Sequence, residues 1–214
     1  MGGGPVEKNG AMTDRTDWTA GSPATVSGRI RKAGVSERKC RLFCAACCRA
    51  AERHITHRPC LDLLAVVEAW ADDPTRADEA RRLRRAVALW SNKIHPGAGS
   101  DQDWLARWSV WCAAAPKIVP PAQGFLKPRA FRPLLREVIG GDLLRPACPP
   151  AWLTTDVLGL ARKVYEDRAF DRLPILADAL TDAGCNDETI LTHCRSKGPH
   201  VRGCWVVDLV LGKE

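Results

Sequence analysis

Sulfur and imidazole are the chemistry-bearing groups of this chain, which carries ten cysteines and five histidines in 214 residues. Such groups bind transition metals, and a thiol beside an imidazole can be activated as a nucleophile. Two stretches gather them: Cys40, Cys44 and Cys47 at helical spacing, and His193, Cys194, His200 and Cys204 around Gly198 and Pro199. A helix rises about 1.5 Å per residue, which puts Cys40 and Cys47 about 10 Å apart. Zinc–sulfur bonds of about 2.3 Å cannot span that gap. At most two of these thiols, such as Cys44 and Cys47, can share an ion, with His57, Cys60 or the tail completing the shell. The second set is geometrically easier, because a loop can fold its ligands together. Neither has the two tight ligand pairs of zinc fingers and ribbons, and reduced cysteine packs well as a small apolar residue between helices. The expectation is therefore no metal and no cofactor, with the second set the one place where convergence would revive chemistry.

Catalysis finds little support. Cys185, Cys194 and Cys204 lie near His193 and His200 in sequence, but the chain has no glycine-flanked nucleophile, paired-carboxylate signature or phosphate-cradling loop. A non-catalytic protein is expected. Nucleic-acid binding rests on Arg81, Arg82, Arg84 and Arg85, with Trp104, Trp108 and Trp111 as possible stacking surfaces. Asp78 and Glu79 dilute the basic cluster, and an apolar core face explains the tryptophans more simply. Protein interaction is the preferred class. In the charged loop at 195–202, Arg195, His200 and Arg202 are expected to be exposed and to meet an unidentified protein partner.

The elements that must position these groups read as helices. Residues 1–33 are rich in Gly, Ser, Thr and Pro without apolar periodicity, and read as a disordered arm. Ser36 caps a helix running to Ile55 whose small and apolar residues cover most of its circumference, as in a central bundle helix. Pro59 begins a second helix, Asp73-Pro74 a third to Trp90, and Ser100 or Asp101 a fourth carrying the tryptophan stripe. The region 115–128, with four prolines and a glycine, is a linker or surface excursion. A helix from Arg129 to Ile139 should stop at Gly140-Gly141. Helices then follow from Thr155 to Arg168, from about Asp171 to Ala183 with Pro174 in the first turn, and from Asn186 to Arg195. The final segment, 204–211, has strand-like branching but no second strand to pair with, so a helix ended by Gly212 is expected.

Composition is that of an ordinary globular protein, 45% hydrophobic and 27% charged, with a net charge of +7 that is spread along the chain and intermixed with acids. The longest apolar runs, such as 63–67, are far shorter than a membrane span. The N-terminal residues lack the apolar core of a secretory signal, so the thiols are expected to stay reduced in the cytoplasm.

Two stretches also carry a resemblance. The cysteine-rich run at 38–49 and Pro-Ala-Trp-Leu at 150–153 are followed by a distinctive tail. That tail reads Asp-Arg-Leu-Pro-Ile-Leu-Ala-Asp-Ala-Leu (171–180), Asp-Ala-Gly-Cys (182–185) and His-Val-Arg-Gly-Cys-Trp-Val-Val-Asp-Leu (200–209). It resembles an uncharacterised bacterial family seen mainly in planctomycetes. About half the chain is covered, and the middle, 72–130, does not match. The resemblance implies a helical fold and a cytoplasmic setting, and brings no site residues. The sequence reading is thus an all-α, irregular bundle of seven to nine helices at 34–214, acting as an interaction or adaptor module. The alternative is a basic nucleic-acid-associated protein, with a structural zinc site possible in either.

Overall fold

A computed structural model describes residues 34–91, Val110, Ala114, 128–144 and 146–213. The described residues form eight α-helices joined by short 3-10 turns, and no strand. In chain order they are α1 (Glu37–Ala50), α2 (Arg58–Asp72), α3 (Ala77–Ser91), α4 (Pro128–Leu144), α5 (Thr155–Asp167), α6 (Leu173–Asp182), α7 (Glu188–Arg195) and α8 (Trp205–Leu211). The all-α expectation holds. The expected disordered arm and the tryptophan-bearing fourth helix lie outside the described residues, as does most of the proline-rich stretch. No described helix is long and apolar enough to cross a membrane.

Local chemistry explains most boundaries. Ser36 accepts from Lys39 N to open α1, Thr154 from Val157 N to open α5, and Asp187, one residue beyond the expected Asn186, from Thr189 N and Ile190 N to open α7. Gly212 follows α8 as the expected stop. Helix α4 departs from expectation by running through Gly140 and Gly141 to Leu144. Gly140 serves packing instead: a Cβ there would sit 3.4 Å from Cδ1 of the Trp205 indole, so α8 approaches α4 where the side chain is missing. The nine described cysteines are free thiols.

Helix α1 is buried continuously from Arg41 to Cys48, which suits its apolar circumference. Cys44, Ala45 and Cys48 pack with Leu63, Leu64 and Val67 of α2, while Leu42, Phe43, Ala46 and Cys47 pack with Leu134, Leu135, Val138 and Ile139 of α4. A third cluster joins α5, α6, α7 and α8.

Two carboxylates one turn apart on α2 stitch these clusters together. Glu68, 3% exposed, accepts from Arg49 of α1 at 2.9 and 3.1 Å and from Arg168, after α5, at 2.6 Å. Asp72 accepts from Arg38 of α1 at 2.8 Å, from Tyr165 of α5 at 2.5 Å and from Arg202 at 2.6 Å. Burial works to raise both pKa values, but the hydrogen bonds and cations win, holding Glu68 below its ordinary value and Asp72 at about 2. A carboxyl with a depressed folded-state pKa contributes stability above its unfolded value, near 4, and loses it as pH falls through the folded value. The urea midpoint should therefore hold steady down to about pH 5 and fall between about pH 4 and 2, with Asp72 accounting for about 1–2 kcal/mol of the loss. Asp72→Asn should flatten that decline, and a wild-type midpoint unchanged at about pH 2 would contradict the assignment.

Candidate metal centre

Three of the four residues expected to flank the Gly198-Pro199 loop converge, and their fourth companion is an acid. Glu137, His193, His200 and Cys204 each present a ligand atom, and these atoms all lie within 4.8 Å of one another. Among the described residues no other group of three or more such side chains gathers this way. The α1 thiols do not: Cys44 and Cys48 face α2, and Cys47 faces α4, as the rise along the helix requires.

Each ligand is delivered by a separate local rule. Glu137 lies on α4 among Leu134, Leu135, Val138 and Ile139, so helical periodicity carries a carboxylate into an apolar face. His193 lies in the last turn of α7. The intervening loop turns back sharply at Gly198 (φ 81°), where a Cβ would lie 2.6 Å from the backbone nitrogen of His200, so only glycine allows the turn that brings the imidazole in. Gly203 (φ 94°) does the same for Cys204, since a Cβ there would press on Leu42 and Val138 at 3.1–3.2 Å.

Three of the six ligand pairs stand near the edge length of a tetrahedral shell, and all six lie within 4.8 Å. Nε2 of His193 is 3.2 Å from Cys204 Sγ and 3.3 Å from Glu137 Oε2, and His200 Nδ1 is 3.2 Å from both Glu137 oxygens. Bonds of about 2.0–2.3 Å to a central ion give ligand-to-ligand edges of about 3.3–3.8 Å. Glu137 and Cys204 are fully enclosed, and the two imidazoles keep 15% and 9% of their side chains exposed.

The two imidazoles differ in readiness. His200 Nε2 lies 3.1 Å from the Ser196 carbonyl, which can only accept, so that nitrogen carries a proton and Nδ1 is turned to the cluster. This is the outer-shell arrangement that orients metal-binding histidines. His193 is held differently: Trp205 donates from Nε1 to His193 Nδ1 at 2.9 Å. A neutral His193 therefore carries its proton on Nε2, aimed at Glu137 and Cys204, and it ligates through Nε2 only if the indole gives way. Glu137 faces the cluster with no proton to lose, His200 and Cys204 each have one to release there, and His193 must in addition give up its indole hydrogen bond.

Electrostatics follow from burial and from the Glu137 charge. Burial works against charge on His200, but its hydrogen bonds to Glu137 and that carboxylate's charge outweigh it and raise the pKa. Burial lowers His193, with Glu137 opposing and His200 assisting. Burial, then Glu137, pushes the Cys204 thiol well above its ordinary value, so a metal would have to displace its proton.

Two sequence expectations change. Cys194 does not join the group; one residue on from His193 it points about 100° around the helix and packs in the C-terminal core, where burial raises its thiol to about 12. Of the three loop residues singled out, two are engaged. His200 faces Glu137, and half-buried Arg202 is bound to Asp72 and Tyr165, while Arg195 lies at the surface with residues 196–199, paired with Asp178 at 2.9 Å. Glu137 went unnoticed in the sequence, although a lone acid at a core-facing position of an amphipathic helix is a legible signal. In the basic run of α3, Arg81 is paired with Asp78, so the acids that dilute the cluster in sequence also do so in space.

Comparison with protein-family models finds no match, and comparisons with curated proteins and with solved structures find none either.

Proposed function

We propose that this protein is a non-catalytic helical module whose C-terminal half is locked to α4 by one divalent metal, with zinc the best match. The observation that carries this reading is the convergence of a carboxylate, two imidazoles and a thiol from α4, α7 and the loop before α8 within 4.8 Å. One soft, two borderline and one hard ligand make a set that zinc tolerates well. Four protein ligands in an enclosed site favour a structural role, since catalytic zinc keeps an open position. A fixed, chemically silent platform suits the interaction role expected from the sequence, and a Cys204 thiolate needs a reducing compartment such as the cytoplasm. The tail motif supports kinship with the planctomycete-type family on the same footing.

Full-length protein expressed with zinc available and then dialysed should retain one equivalent by elemental analysis. Cobalt replacement should give a thiolate-to-cobalt charge-transfer band that disappears in Cys204→Ser. Protein that is fully folded, zinc-free and unable to take up cobalt would overturn the reading.

A further inference from the structure

Arg202 lies between two metal ligands in sequence but turns to Asp72 and Tyr165, at the edge of a cavity of about 400 Å³. That volume lies within the range of small-molecule sites. The walls combine charge with an apolar surface. Arg162, Arg202 and Lys213 contribute three cations, against the carboxylates of Asp72 and Glu166. Leu158, Leu211 and the ring of Tyr165 supply the apolar part.

These cations are unevenly satisfied. Asp72 is already committed to Arg38, Tyr165 and Arg202. Lys213 stands 3.6 Å from it, and its ammonium lies 4.7 Å from the centre of the Tyr165 ring. Arg162, on the exposed side of α5, has no hydrogen bond or ion pair among the described residues, and neither does Glu166 one turn on. Behind the wall, Arg38 and Lys39 are held by Asp208, so they take no charge from the cavity's acids beyond Asp72. The cavity thus offers two cations with spare hydrogen-bonding capacity beside a short apolar surface.

We infer that this cavity binds a small organic oxyanion, a carboxylate or phosphate monoester with a compact apolar body. The head would lie between Arg162 and Lys213, and the body against Leu158, Leu211 and the Tyr165 ring. Arg guanidinium and Lys ammonium both bond such heads with charge assistance, and the ring face favours a flat or short apolar group. This inference stands apart from the metal centre, sharing no ligand residue with it.

The test uses full-length protein titrated calorimetrically with phenyl phosphate, benzoate and neutral benzamide. Saturable one-to-one binding of at least one anion is expected at millimolar or lower concentration, with benzamide weaker by at least about tenfold. Which anion binds tighter distinguishes the phosphate from the carboxylate source. The double variant Arg162→Ala/Lys213→Ala should lose at least about tenfold in affinity. Because Tyr165 is the chain's one tyrosine, its ring signals offer a wild-type check by NMR and should shift on titration. No saturable anion binding up to about 10 mM, equal binding of benzamide, unchanged affinity in the variant, or a static Tyr165 ring would each overturn the inference.

Discussion

Removing the metal with a chelator is expected to lower the melting temperature by about 8–16 °C and to leave the helical signal nearly unchanged. The magnitude follows from linkage. A ligand present at about a thousand times its dissociation constant stabilises by about 4 kcal/mol, and in a chain of this size each kcal/mol moves the midpoint by about 2–4 °C. The survival of the fold follows from the site itself. Without an ion, Glu137 still accepts from His200 and from the Val201 amide, and His193 still receives the Trp205 indole hydrogen. The buried polar groups therefore keep partners, which a zinc finger's thiolates do not. Cys204→Ser should melt near the chelated wild type and gain nothing from added zinc. Glu137→Ala should fall further, because it also strips His200 of its carboxylate. A chelator that leaves the wild-type midpoint in place would remove the metal from the account. A chelator that unfolds the chain would show that the hydrogen-bonded cluster cannot stand alone.

The helices were legible in the sequence because their signals are local. Ser36, Asp73-Pro74 and Gly212 state caps and stops within a turn of where they act, and Thr155-Asp156 marks the start of α5 one residue past its cap, Thr154. Gly140-Gly141 misled because the same residue type serves two purposes, and only the approach of Trp205 reveals which one applies. The site divides in the same way. The exclusion of the α1 thiols needed only the rise of a helix. His193, His200 and Cys204 were visible as a set because one loop carries them, while Glu137 enters from 56 residues upstream of His193 and depends on how α4 packs. Cys194, a member of that set in sequence, drops out by phase, because sequence neighbours on a helix point apart. The loop is exposed from Arg195 to Pro199 as expected, while His200 and Arg202 turn to Glu137 and Asp72, which only the tertiary fold brings to them.

Asp208→Ala is expected to destabilise the protein by about 3–5 kcal/mol. Asp208 is 1% exposed on α8 and receives Arg38 through two nitrogens at 2.8 and 3.1 Å and the Lys39 ammonium at 2.6 Å. Arg38 has alternatives in Asp72 and Tyr165, whereas Lys39, 3% exposed, would be left with the Gly203 carbonyl at 3.2 Å. The cost is therefore mainly that of an uncompensated buried ammonium, not the loss of the pair itself. That distinction is measurable. Replacing both partners, as in Lys39→Met/Asp208→Leu, removes the stranded charge and should recover at least about 2 kcal/mol relative to the sum of the two single changes. Additive losses in that cycle would mean that the carboxylate works through Arg38 alone. A loss below about 1 kcal/mol in Asp208→Ala would mean that water reaches Lys39. The expected result ties the first helix to the last: Arg38 and Lys39 near the start of α1 hold Asp208 of α8, next to which Cys204 reaches Glu137.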